Sequence, residues 1–294
     1  VLNLPFTKYP ITGAQVACPL CNSEDTVPLA SWDRRFKRLA HVKCGDCGLI
    51  RHDYMPSEDE LSEYYRTTYR SDYQRVQDGP SERHIAKRHR EAALRLKRLT
   101  PHLKDGARLV DFGCGSAELV EDAIGMGYDA RGFEPGSDYA TYARDKKGLP
   151  VENCGWQDYS VDAPVDVVTT FHVFEHLLDP VLAVERILGW LADDGLFFIE
   201  VPDMSNALHK GFGCLHMAHT LGFSRYNLEL LGAVCGLEVV EVFQDYDIGI
   251  IFRRGTPRPI EEIKADAVRQ MAPWTKDVVH KTFWSYTAGK LKRR

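Results

Sequence analysis

The sequence lacks several features that would each have pointed to a function. No apolar run approaches the roughly 18 residues of a membrane span. The opening stretch, Val1 to Gly13, has no basic segment leading into an apolar block, so no secretory signal is legible and a cytoplasmic location is expected. There is no basic excess: 37 Lys and Arg stand against 42 Asp and Glu, a net charge of -5, which makes nucleic acid an unlikely main partner. Internal repeats and low-complexity blocks are also missing. What is there, 44% hydrophobic and 27% charged residues over 294, is the composition of an ordinary folded chain. That length holds one large α/β domain and a small accessory one. The basic stretch Arg83 to Leu99 reads as the solvated face of a helix, and the closing KLKRR as a frayed end.

The 8 cysteines fall into two groups. Cys18 and Cys21 form one CxxC knuckle and Cys44 and Cys47 another, while Cys114, Cys154, Cys214 and Cys235 are scattered. Each knuckle puts two thiolates on one tight turn, and two knuckles complete a tetrahedral sulfur site for Zn2+. Disulfides are the poorer reading without a secretory signal. Four protein ligands leave no open position, so the zinc is expected to be structural. A segment this short cannot bury enough apolar surface alone, and metal binding supplies the deficit.

After the cysteines, PSEDEL offers a helix start with Ser57 as N-cap and Glu60 three residues on. Tyr64, Tyr65, Tyr69 and Tyr73 follow, as a lid over the site or as packing of a linker helix. Helical spacing over residues 81–100 ends near Pro101. From residue 107 strands and helices alternate, including a helix over 179–195 opened by Asp179 and Pro180. Two closing strands, LEVVEVFQDY and GIIFRR, are joined by a short turn and are expected to pair antiparallel at an edge. Such alternation predicts a mostly parallel sheet with helices on both faces. A helix is expected over 260–271 in an otherwise polar, Pro-interrupted extension.

The stretch RLVDFGCGSAELV, residues 108–120, is a strand, a tight turn and a helix start that let a ligand approach backbone. A dinucleotide turn would place a third glycine at position 118, which is Glu118, and a phosphate-binding loop would need a lysine that is absent. What remains is D-x-G-x-G-x-A: Asp111, Gly113, Gly115 and Ala117. This resembles motif I of the class I S-adenosylmethionine (SAM) dependent methyltransferases. GFEPG, about twenty residues on, ends the next strand in Glu134, where an acid accepts the ribose hydroxyls. DVVTTFHVFEHLLDP resembles the signature after the fourth strand of a large methyltransferase group, and GLFFIEVPDMSN and LHMAHTLGFSRYNLELLGAVCGLEVVE resemble segments that follow in it. An N-terminal four-cysteine ribbon with a tyrosine-rich segment is also seen in that group, among enzymes found with sugar and polysaccharide biosynthesis. Ala117 in place of the third glycine and HTLGFS in place of an aromatic after the histidine depart from the pattern.

The resemblance implies a Rossmann-like seven-stranded methyltransferase sheet plus a small N-terminal zinc ribbon. It divides the chain into a ribbon (1–55), a helical tyrosine-rich linker or lid (56–100), a SAM-binding domain (101–255) and an extension (256–294). It implies SAM contacts from Asp111, Gly113, Gly115, Glu134 and His172, with Trp156 or Gln157 at the adenine and Asp158 as the alternative. His172, His176, His216 and His219 are the candidate general bases, with His172 and His176 expected on one helix face. The implied reaction is methyl transfer to a sugar, glycan or other small-molecule acceptor, with oxygen as the target. The alternatives are an RNA methyltransferase, against which the net charge of -5 weighs, and a SAM-binding protein without catalytic activity.

Overall fold

Short apolar runs alternating with amphipathic stretches produce a central sheet with a helix layer on each face. The computed structural model describes residues 6–64 and 80–291. In that sheet β4 (Arg108–Phe112), β5 (Asp129–Phe133), β6 (Val151–Glu152), β7 (Val165–Phe171) and β8 (Leu191–Pro202) run parallel. β10 (Leu237–Gln244) and β11 (Asp247–Arg254) complete it, in the order β10-β11-β8-β7-β4-β5-β6. The hairpin of the last two strands closes one edge, with β11 antiparallel to both of its neighbours. β4 shows how the pleat serves two layers. Leu109 faces a core shared with Leu96 of α2 (Glu82–Leu99) and Val120 of α3 (Glu118–Gly125). Val110 and Phe112 face the opposite core, with Ile187 of α5 (Pro180–Trp190) and Leu231 of α7 (Arg225–Val234). α4 (Ser137–Thr141), extended by a π turn to Lys146, lies between β5 and β6 on the α2 side.

α5 is shorter than its sequence suggests. It starts on Asp179, whose side chain accepts the Leu182 N–H, and ends at Trp190 instead of residue 195. Leu191 leaves the helix because its extended backbone pairs with Val165 and buries its side chain. The exposed Asp193 and Asp194 bulge out before Leu196 resumes the ladder opposite Val167.

A second, smaller sheet holds the cysteines: β1 (Thr26–Trp32), β2 (Arg38–Cys44), β3 (Ile50–His52) and β9 (Leu221–Gly222) in that order. Its fourth strand comes from the loop after β8, a loop that also carries α6 (Ala207–Lys210). The two knuckles and Leu49 lie in the same core as Phe112 and Leu231. α1 (Glu58–Tyr64) has the expected capping box: the Glu60 N–H donates to Ser57 Oγ and the Ser57 N–H to Glu60 Oε2. Tyr64 is buried beside Tyr9, Leu61, Met217 and Ala218, while Tyr65, Tyr69 and Tyr73 lie outside the described residues.

The extension packs onto the cysteine module. α8 (Ile260–Met271) occupies the expected span, and Lys43 Nζ donates to the Met271 and Trp274 carbonyls at 3.0 and 2.9 Å. α9 (Lys276–Leu291), which the polar sequence did not suggest, sets Phe283 against Phe212 and Phe36. No helix among the described residues is long and apolar enough to cross a membrane.

Candidate active site

The C-terminal edge of the parallel strands is where an open α/β sheet leaves a crevice. The β4 turn begins at Asp111, buried and accepting a hydrogen bond from the Thr169 hydroxyl at 2.7 Å. Burial pushes its carboxyl up to about 7, against the lowering effect of that hydroxyl. Asp111 thus ties β4 to β7 from inside. Gly113 and Gly115 both have positive φ, +72° and +55°, but need to be glycine for different reasons. A Cβ on Gly113 would lie 2.7 Å from Val173 Cγ2, so this glycine permits packing against the turn after β7. A Cβ on Gly115 would meet nothing within 4 Å: the turn there opens onto the crevice. Ala117 takes the left-handed conformation (φ 65°) where a third glycine would stand.

Glu134, at the end of β5, reaches back to this turn. Its Oε2 accepts the Gly115 N–H at 3.0 Å and its Oε1 the Gly136 N–H at 2.6 Å. Burial raises its pKa, and the two backbone donors pull it down again. Asn153 braces the same corner by donating to the Glu134 carbonyl at 2.8 Å. Of the residues expected at an adenine, Trp156 is half-buried and stacks toward Phe112 at 6.4 Å, whereas Gln157 and Asp158 are exposed.

On the other side of the crevice, β7 ends in Phe171 and the chain turns at His172, whose φ is +59°. A short 3-10 turn, Phe174–His176, follows, so His172 and His176 share no helix face. They flank Glu175 instead. Its buried carboxylate has Oε1 at 3.5 Å from His172 Nδ1 and 3.8 Å from His176 Nε2. These histidines hold Glu175 down to about 2 despite its burial. His172 Nε2 faces Asp247 at 3.4 Å, and these two carboxylates hold its imidazolium up to about 9 against burial. His176 Nδ1 lies 2.5 Å from the Ala218 carbonyl and so carries the hydrogen, turning Nε2 toward Glu175. His219 packs against His176 and His216 with ring centroids 5.0 and 3.9 Å away. Burial pushes His219 down to about 3 and holds His216 well below the usual imidazole range, so both stay neutral.

Several residues of this edge were not singled out in the sequence. Arg95 of α2, in the stretch read as a solvated face, turns inward and donates to Glu200 Oε1 (Nε, 2.9 Å), with its guanidinium 4.3 Å over Phe171. Arg98 donates to Glu200 Oε2 and to Asp245. Glu200 lies two residues before the end of β8, and its carbonyl accepts the His172 N–H at 2.9 Å. Glu200 carried a signal: it is the one acid in the apolar run LFFIEVP. Arg95 carried none.

The four knuckle cysteines converge with every sulfur within 4.8 Å of the others. Cys18 and Cys47 Sγ are 3.6 Å apart and Cys21 and Cys44 Sγ 3.5 Å, far from disulfide length. A tetrahedral zinc with bonds of about 2.3 Å sets its sulfurs about 3.8 Å apart. Four thiols this close cannot all become thiolates without a cation among them. The donor set fits a dication.

A family model described as a methyltransferase domain matches residues 84–242. The chain belongs to the methyltransferase domain family. Among curated relatives, the ubiquinone biosynthesis O-methyltransferase of Glaesserella parasuis serovar 5 (strain SH0165) is 27% identical over 105 residues. That match spans 32% of this chain and 44% of the relative, under half of its length. Among solved structures, 1,6-didemethyltoxoflavin-N1-methyltransferase of Burkholderia thailandensis aligns with a TM-score of 0.55 at 16% identity, over 73% of this chain and 95% of that one. Magnesium protoporphyrin IX methyltransferase of Synechocystis PCC 6803 aligns with a TM-score of 0.53 at 12% identity, over 68% and 100%. Both were solved with S-adenosylhomocysteine bound. At these identities the likeness is one of fold: this methyltransferase has the Rossmann-like sheet of SAM-dependent enzymes.

Proposed function

We propose that this methyltransferase transfers the methyl group of SAM to a hydroxyl of a small-molecule acceptor, with a sugar or glycan as the favoured class and a histidine as general base. The observation that carries the reading is the Gly115–Glu134 corner, an open left-handed turn beside a carboxylate at the ends of adjacent parallel strands. SAM, when bound, supplies a methyl group already activated by its sulfonium. Gly115 gives that ligand bare backbone, Gly113 lets the turn that carries it pack against Val173, and Glu134 accepts its ribose hydroxyls. Trp156 and Gln157 border the adenine, and His172 stands at the methyl end. Asp111 holds the turn to β7 from below.

Among the four histidines, His172 is already protonated at neutral pH and serves as a fixed positive charge. His216 is buried behind His219. Proton acceptance falls to His176, with the Glu175 carboxylate beside it to stabilise the imidazolium that forms, while burial keeps His219 a neutral packing partner. A base so placed contributes about 10²–10⁴-fold, while most of the rate comes from holding donor and acceptor in line in a dry crevice. Cys18, Cys21, Cys44 and Cys47 hold a structural Zn2+. The ribbon (1–55), linker (56–100), SAM domain (101–255) and extension (256–294) are the corresponding working units.

The test is calorimetric titration of zinc-replete protein with SAM, and with NAD as control. Saturable SAM binding that Glu134→Ala weakens sustains the reading. Absence of SAM binding overturns it. An acceptor screen among sugars and sugar nucleotides follows, and full turnover by His176→Ala would remove the general base.

A further inference from the structure

The loop that carries His216 and His219 is not held by the methyltransferase sheet alone. Directly after His219 the chain becomes β9, the fourth strand of the cysteine module, with Ile50 opposite Gly222 and Arg51 opposite Leu221. β3 begins three residues after Cys47, and its last residue, His52, makes two contacts to the loop. The His52 N–H donates to the Thr220 carbonyl at 3.2 Å, and its ring Nε2 lies 3.3 Å from the His216 carbonyl. Thr220 continues the connection, its hydroxyl donating to the Glu175 and Leu177 carbonyls at 3.2 and 2.8 Å. From the cysteine side, the Cys47 carbonyl accepts Asn227 Nδ2 at 2.5 Å, and the Arg34 N–H donates to the Leu215 carbonyl at 2.8 Å. His52 and Thr220 are fully buried. A cavity of about 10 Å³ lies between the two parts, lined by His41 and Arg51 on one side and Glu175 and His219 on the other.

We propose that the cysteine module is the back wall of the acceptor site, with His52 as its positioning residue. Metal in the four-cysteine cage fixes the Cys44–Cys47 knuckle and hence β3. β3 fixes the histidine loop through His52 and Thr220, and that loop fixes Glu175 and His176. The glycine turn and Glu134 share none of these bonds, so metal occupancy acts first on the acceptor half of the site and reaches the SAM half only through the shared core and Val173. The inference rests on the zinc and histidine readings above.

The experiment measures zinc content, SAM binding and peptide-resolved amide exchange on the full chain, before and after metal removal with a chelator. Stripping is expected to speed exchange at 214–224 by about tenfold or more while 108–116 and SAM affinity hold within about threefold. In zinc-loaded His52→Leu the 214–224 segment loosens in the same direction. His52→Gln, whose amide N–H reaches the His216 carbonyl, restores protection. Unchanged exchange at 214–224 after metal loss overturns the proposal, as does equal loosening at 108–116. If the purified chain carries no zinc, the metal reading fails separately. The two His52 variants then decide: protection lost with Leu and kept with Gln sustains the wall, and equal protection in both overturns it.

Discussion

The two sides of the crevice are built by opposite means. The β4–β5 side is made of backbone from chain neighbours: a glycine turn, a carboxylate nineteen residues later, and little else. The β7–β8 side is made of side chains from five separate stretches, with Arg95, His172 to His176, Glu200, His216 to His219 and Asp247 brought together by the fold. A backbone site is specified by what its residues lack, and tolerates little. A side-chain site depends on distant segments keeping their places, so it needs bracing, and here an entire module serves as the brace.

The comparison can be pressed hardest at the brace. Cys47→Ser should abolish metal binding and destabilise the chain by about 4 kcal/mol or more, lowering Tm on the order of 10 °C. Zinc analysis and thermal unfolding check this, and an unchanged Tm would mean that the module stands without metal. Next in size is Arg95→Met, which leaves the buried Glu200 with Arg98 and a more distant His172. A loss of about 3 kcal/mol is expected in urea unfolding, with poor rescue by Lys because its single ammonium cannot reproduce the Nε and Nη2 pair. A change inside 0.5 kcal/mol, roughly the scatter for surface positions, would demote the network to decoration.

On the backbone side Glu134→Ala should weaken SAM binding by about tenfold to a hundredfold, the worth of charge-assisted hydrogen bonds to the ribose. Its effect on stability should be small, which calorimetry and unfolding together separate.

The last effect is on pH dependence. His172 has a folded pKa of about 9 against about 6.5 in an unfolded chain. The stability it contributes is therefore fully present below about pH 6.5 and is lost as pH rises toward 9. The stability difference between wild type and His172→Gln should shrink across that window. A difference that grew with pH would show the imidazole to be neutral.

How much of this could be read in the sequence follows the same division. The mostly parallel sheet, the closing hairpin and the helix over 260–271 rest on local periodicity, and the glycine turn and Glu134 rest on spacing, so both were legible, whereas the strand order was not. The cysteine knuckles announce themselves by pairing and do converge. Arg95 was lost in a basic run because nothing local distinguishes an inward arginine from a solvated one. His52 sits in a segment whose reading stopped at zinc, although its importance comes from β3, which pairs Arg51 with Leu221, 170 residues away in sequence. α5 read too long because Leu191 continues the apolar pattern, and only strand pairing takes it out of the helix.

Gly113 has a consequence that concerns inheritance more than chemistry. Its missing methyl is the gap into which Val173 fits, so the cofactor turn and the histidine turn touch across a single side chain. The spacing between the two turns is set at that contact and not by the loops beyond it. Any side chain at position 113 would move both at once. On the function proposed above, the gauge that sets donor against acceptor is therefore one methyl wide.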